Sequence, residues 1–217
     1  MNIASDSLTP SSDATTADNI ETIRLSVRQL CEKFGEDYWL DMDRTNGYPT
    51  DFVKELTTSG YLGVLIPEEY GGAGLGVLEA SAVMEEICRS GAHAGVCHAQ
   101  MYVMGSVLRH GSDEQKKQYL PKIASGEIRM QSFGVTEPTT GTDTTSLKTT
   151  ARKDGDKYIV NGQKVWISRI QHTDLMILIA RTTTTGEILI STITDILIST
   201  TVEILITTTA HTLVAHA

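Results

Sequence analysis

Apolar positions recur with a helical period through the first half of the chain and alternate along the second. From Asp18 onward Ile20, Ile23, Val27, Leu30 and Phe34 fall on one face, and Asp18 followed by Glu21 resembles a capping box, so an amphipathic helix is predicted to begin there. A short helix is expected after Pro49, with Phe52, Val53 and Leu56 as its apolar side and Gly60 ending it. Two later segments, Val77 to Cys88 and Ala94 to Leu108, are apolar almost all round, the pattern of helices buried among other helices. His110-Gly111 closes the second of these, and Ser112 with Gln115 forms an S-x-x-Q capping box that opens the next helix.

After Gly126 the period shortens to two. Asp154-Gly155 and Asn161-Gly162 are both strong hairpin signals, the second flanked by Tyr158-Ile159-Val160 and Val165-Trp166-Ile167. An antiparallel meander is therefore expected, with Leu175 to Ala180 as a further buried strand. Helices followed by strands define an α+β chain with segregated parts, not a doubly wound parallel sheet. The predicted organisation is a loose tail over 1–18, an all-α helical domain over 19–128, a partial antiparallel β domain over 129–181, and a tail over 182–217. That last tail repeats an eight-residue unit, with Ile-Leu-Ile after Glu187, Asp195 and Glu203 and no Lys or Arg after Arg181. Ile- and Thr-rich repeats with so few charges favour β structure and edge-to-edge pairing.

Composition narrows the chemistry. The chain has 217 residues and a formal net charge of −9, which disfavours a phosphate backbone as partner, so no nucleic acid is expected. Cys31, Cys88 and Cys97 form no CxxC pair, which argues against a disulfide framework or a zinc site and favours a reducing compartment. No apolar run approaches the ~20 residues that cross a bilayer, and the Ser-, Thr- and Asp-rich start fits neither a secretory nor a mitochondrial leader. A cytoplasmic protein with no membrane partner is expected. The glycines 71, 72, 74 and 76 lack a preceding strand with dinucleotide-binding spacing and a GK[ST] ending, so they are assigned to backbone turns. His93, His98, His110, His172, His211 and His216 form no convincing H-x-x-x-H pair, and no metal site is assigned.

Two motifs go further. Phe133-Gly-Val-Thr-Glu-Pro-Thr-Thr-Gly-Thr-Asp143 and Tyr158-Ile-Val-Asn-Gly-Gln-Lys-Val-Trp-Ile-Ser168 resemble, in order and at a suitable separation, the two signatures of the acyl-CoA dehydrogenase family. Leu65-Ile-Pro-Glu-Glu-Tyr-Gly-Gly-Ala-Gly74, Gly111 to Pro121 and Ala124 to Glu127 add to the likeness, which runs from about Ile20 to Arg181. Either motif alone would be as well explained by a turn or a core aromatic; their joint occurrence decides for the resemblance.

The resemblance implies FAD as cofactor, an acyl-CoA thioester as substrate and an electron-transfer flavoprotein as acceptor, in a homo-oligomer. In such chemistry a hydride leaves Cβ of the substrate while a glutamate removes the α-proton. Carried over by position, Thr136 would hydrogen-bond the polar edge of the flavin ring, with Phe133 and Val135 beside it, and Trp166 would lie on one ring face. Ser168 stands where the family usually has Thr, and Thr142 where it usually has Ser. The helix bearing Gln100, Met101 and Met104 would contribute to the acyl pocket wall, although methionines on a helix are more often core filling. Arg169-Ile170 departs from the Asn-Gly-like continuation of the second signature. No glutamate matches the family's catalytic base, so no catalytic residue is assigned. The competing expectation is an inactive helical interaction module with a self-associating β tail.

Overall fold

The structure is a computed structural model, and residues 12–155, 157–182, 204–207 and 212–215 are described. Six α-helices come first: α1 (Ser12–Cys31), α2 (Glu36–Thr45), α3 (Thr50–Thr58), α4 (Val77–Arg89), α5 (Gly95–His110) and α6 (Asp113–Ser125). The strands follow: β1 (Ser132–Gly134), β2 (Thr150–Asp154), β3 (Lys157–Lys164), β4 (Met176–Leu178), β5 (Ile204–Thr207) and β6 (Thr212–Ala215). The expected helices and the α+β order are all present.

The apolar stripe of α1 packs Val27, Leu30 and Cys31 against Phe52, Val53 and Leu56 of α3 and Val83 and Ile87 of α4. Four aromatic rings close this core: Phe34, Tyr38, Trp39 and Phe52 meet edge to face at centroid distances of 5.0 to 5.2 Å. At its rim the buried Glu86 of α4 takes hydrogen bonds from Arg28 at 3.1 Å and Arg24 at 3.3 Å, fastening α4 to α1. The Arg28 hydrogen bond, ahead of burial acting the other way, holds the Glu86 carboxyl below its ordinary range.

A second core joins the helical part to the strands. Val103, Met104 and Val107 of α5 and Leu120 and Ile123 of α6 pack with Met130, Leu147, Ile177 and Ile179. Gln100 is fully buried on α5, and both its amide atoms lack a hydrogen-bond partner among the described residues. The α6 capping box forms as expected: the Ser112 N–H donates to Gln115 Oε1 at 2.8 Å, and the Gln115 N–H donates to Ser112 Oγ at 3.3 Å.

Five expectations need correction. The all-round burial expected of Val77 to Cys88 is not found: α4 packs Ala80, Val83 and Ile87 against α1, while Val77 and Leu78 are 70% and 60% exposed. Helix α1 begins at Ser12, ahead of Asp18, so residues 12–18 belong to a helix and not to the loose tail; residues 1–11 lie outside the described residues. Helix α2 was not anticipated, because it buries no residue fully and its sequence is mostly polar. Asn161-Gly162 is not a hairpin turn: both residues lie inside β3, and only the Asp154-Gly155 turn connects β2 to β3. Gly162 is needed for close approach instead, since a Cβ there would fall 2.6 Å from Thr149 Cα. Finally, β4 pairs in parallel with β1, Phe133 opposite Ile177, and this pair stands outside the antiparallel sheet ordered β2-β3-β6-β5. Parallel strands are covered on both faces, which accounts for burial of every residue from Met176 to Ala180.

Of the C-terminal tail, β5 and β6 pair antiparallel, and β6 joins β3 with Gly162 opposite Ala215. The first two repeat units lie outside the described residues.

Gly162→Ala is expected to force β3 away from Thr149 and lower stability by about 1–3 kcal/mol in denaturant unfolding, because the obstructing atoms include backbone.

Candidate functional site

The site grows from a turn and a strand end. Glu137 and Thr140 exchange backbone hydrogen bonds, N–H to O at 2.8 and 3.1 Å, closing a tight turn over Pro138 and Thr139. Pro138 suits it because its ring presets φ at the second position of such a turn. Arg181 holds the following loop by donating to the carbonyls of Leu147 and Thr145.

The two motifs are joined by a buried charge pair. Lys164, the last residue of β3, places Nζ 2.9 Å from Glu137 Oε1 and 2.9 Å from the Val135 carbonyl oxygen, with both charged side chains 3% exposed or less. The same carboxylate accepts from the backbone N–H groups of Lys148 at 2.6 Å and Thr149 at 2.9 Å. Burial pushes the Glu137 carboxyl upward, but these combined hydrogen bonds outweigh it and bring the group from 4.5 down to about 2. Burial lowers the Lys164 ammonium, offset in part by Glu137. Neither residue was singled out in the sequence as a site residue. The only signal was a lysine next to the Val-Trp-Ile run, which reads as a solvent-facing position until the carboxylate 27 residues earlier is placed beneath it.

Beyond Lys164 the Val165 N–H donates to the Thr136 carbonyl at 2.9 Å, so the Thr136 turn and Trp166 are neighbours. Trp166 has φ of +62°, a conformation that large side chains rarely adopt, and is 71% exposed. Ser168 is exposed, and its carbonyl accepts the Ser132 hydroxyl at 3.0 Å, tying the strand end to β1. Phe133 on β1 is 37% exposed, with its ring 6.3 Å from that of Tyr102 on α5. Val135 packs at the edge of the second core while its carbonyl receives Lys164. Hydrogen bonds therefore link the segments carrying Phe133, Val135, Thr136, Trp166 and Ser168. Thr142 differs: it is exposed further along the loop, where its carbonyl accepts the Thr144 N–H at 3.0 Å, and no hydrogen bond joins it to the Trp166 segment among the described residues.

A loop with free hydroxyls, an uncovered indole and a phenyl edge can receive a planar, partly polar molecule by stacking and hydrogen bonding. Among the described residues no group of three or more His, Cys, Asp or Glu is placed to hold a metal, and no helix is long and apolar enough to cross a membrane.

Comparison with known proteins sets this geometry in a class of flavoenzyme-like α+β folds. The profile of the acyl-CoA dehydrogenase N-terminal domain matches residues 17–127, and that of the acyl-CoA dehydrogenase middle domain matches residues 132–211. The chain belongs to the acyl-CoA dehydrogenase family. The second match extends past Arg181, where the resemblance read from the motifs ended, into the repeat.

Acyl-CoA dehydrogenase FadE12 of Mycobacterium tuberculosis is 36% identical over 74% of this chain and 42% of its own length. Mitochondrial isovaleryl-CoA dehydrogenase of Bos taurus is 36% identical over 83% of this chain and 43% of its own. Among solved structures, an acyl-CoA dehydrogenase from Geobacillus kaustophilus superposes with a TM-score of 0.70 at 31% identity, covering 75% of this chain and 43% of that one. A glutaryl-CoA dehydrogenase from Mycobacterium smegmatis in complex with FADH2 gives a TM-score of 0.70 at 28% identity, covering 79% of this chain and 45% of that one. The chain thus spans somewhat less than half the length of these relatives.

Two outcomes follow from the buried pair. Glu137→Gln leaves the Lys164 ammonium buried without its counter-charge, which is expected to cost about 3–5 kcal/mol at pH 7 in denaturant unfolding. Because the folded-state value of Glu137 lies below 4.5, its stabilisation is fully present above that pH and is lost as the pH falls toward about 2. An acid titration of unfolding free energy is expected to decline across that window, and less steeply in Glu137→Gln.

Proposed function

We propose that this chain is the flavin-facing part of an acyl-CoA dehydrogenase, acting with FAD on an acyl-CoA thioester. The observation that carries the proposal is Trp166: a large aromatic side chain 71% exposed on left-handed backbone, adjoining the residue bonded to Thr136. Leaving an indole uncovered on a strained backbone costs free energy that a stacked ring would recover by burial.

In this reading Trp166 covers one ring face and Phe133 and Val135 flank it. Thr136 and Ser168 hydrogen-bond its polar edge, while Thr142 reaches cofactor or substrate from the outer loop. When bound, FAD supplies acceptance of a hydride from the substrate Cβ. This chain's residues orient and shield; removal of the α-proton is assigned to none of them. An electron-transfer flavoprotein as acceptor, assembly as a homo-oligomer and a cytoplasmic location complete the proposal.

A second reading, a helical module that self-associates through its tail, draws on the β5–β6 pair, whose Ile-Leu-Ile-Thr strand ends the sheet. Thioflavin binding by a colourless, fast-sedimenting chain would favour it.

Titrating the purified chain with FAD and following flavin fluorescence tests the first reading. Saturable quenching is expected, weakened roughly ten-fold or more in Trp166→Ala, which corresponds to about 1.4 kcal/mol. Absence of quenching by the parent chain would reject it.

A further inference from the structure

We propose that the cavity bounded by Tyr48, His93, Val96, Ser168, Arg169 and His172 binds a small oxyanion, a carboxylate or a phosphate group. The cavity has a volume of about 570 Å³ and lies between the loop before α3, the start of α5 and the segment after the second motif. The chain carries a formal net charge of −9, yet the lining includes an arginine and no Asp or Glu; of its two histidines, His172 is held toward the neutral form by burial. Asp43 lines the adjoining depression instead.

Arg169 is the centre of the case. Its Nε is buried without a hydrogen-bond partner, and among the described residues its guanidinium enters no ion pair. A buried guanidinium N–H left unpaired costs free energy that an anion would recover, since charge-assisted hydrogen bonds to carboxylate or phosphate are the strong ones. Arg169 also has φ of +59°, in the left-handed region that favours Asn or Gly, so the backbone bears strain to aim this side chain.

The guanidinium is aimed at a place of like charge. A Cβ built on Gly95 would lie 3.3 Å from Arg169 Nη1 and 3.1 Å from His93 Cε1, so both groups sit over the first residue of α5. Helix α5 runs for 16 residues, and no side chain caps its N-terminus. Its uncapped end carries partial positive charge, which repels a guanidinium and attracts an anion. An oxyanion in the adjoining cavity, beside both the guanidinium and the helix end, adds an attraction to each and offsets their mutual repulsion. Tyr48 contributes a wall and no donor: its ring is stacked on His172 at 4.3 Å, and its hydroxyl donates at 2.9 Å to Oε1 of the fully buried Gln131.

Isothermal titration of the cofactor-free chain with inorganic phosphate, and separately with acetate, at ionic strength held constant with chloride, tests the proposal independently of flavin binding. Saturable millimolar binding of at least one is expected; phosphate alone, or acetate alone, identifies the ligand class. Arg169→Asn is expected to weaken it ten-fold or more while leaving the anion-free chain at least as stable, because Asn accepts the left-handed conformation more readily. His172→Gln, at the exposed rim, is expected to weaken binding less than Arg169→Asn does. Failure of both anions to saturate, or binding by Arg169→Asn as tight as by the parent chain, would overturn the proposal.

Discussion

The ion pair between Lys164 and Glu137 is the contact on which the arrangement of the candidate site depends. It is the point where the two motifs, 27 positions apart, meet beneath the surface. Its carboxylate gathers the Lys148 and Thr149 backbone N–H groups as well as the ammonium, and its ammonium reaches on to the Val135 carbonyl. A buried pair contributes little net stability when compared with apolar residues of similar volume, because desolvating both charges costs about as much as their attraction returns. What it supplies here is register. With Lys164 fixed, Val165 is brought to Thr136, and Trp166 has one place to go.

That constraint accounts for the strain beyond it. A strand ending on a buried lysine cannot relax sideways, and the chain turns away through two non-glycine residues with positive φ, Trp166 and Arg169. Such conformations persist only where surrounding contacts over-determine them. Ile167 lies between them and is buried with Met176 and Leu178, while the Ser168 carbonyl is bonded to Ser132. An anchored apolar side chain thus alternates with side chains directed outward: Trp166 and Ser168 are exposed, and Arg169 lines a cavity.

Much of this was legible in the sequence because it depends on local chemistry. The Ser112–Gln115 box, the Asp154-Gly155 turn and the apolar faces of α3 and α5 are decided within a few residues, and the structure has them where periodicity and capping put them. The corrections concern contacts distant in sequence. Asn161-Gly162 has the composition of a turn, but Thr149 crossing over it requires a glycine in a strand. Leu175 to Ala180 was recognised as buried, yet its parallel partner is β1, more than 40 positions earlier, which no local pattern encodes. Helix α2 was missed because its half-buried Tyr38 and Trp39 reach the aromatic core from a mainly polar surface. The site followed the same division: exposed residues with chemical character were found, and the buried pair that positions them was not.

The same division explains why Lys164 and Arg169, five positions apart, have opposite relations to their surroundings. Lys164 is buried and its partners are present in the chain, a carboxylate and a carbonyl that leave its charge satisfied. Arg169 is half-buried over a helix end of like sign, with an unpaired Nε and an unfavourable φ. A packed core tolerates the first arrangement as a device of register, whereas it has no use for the second, in which sterics, electrostatics and hydrogen bonding are all unfavourable at one residue. Two of these penalties, the unpaired Nε and the like-charged helix end, would be relieved together by one negative group, and they point to a binding role for that residue more firmly than either would alone.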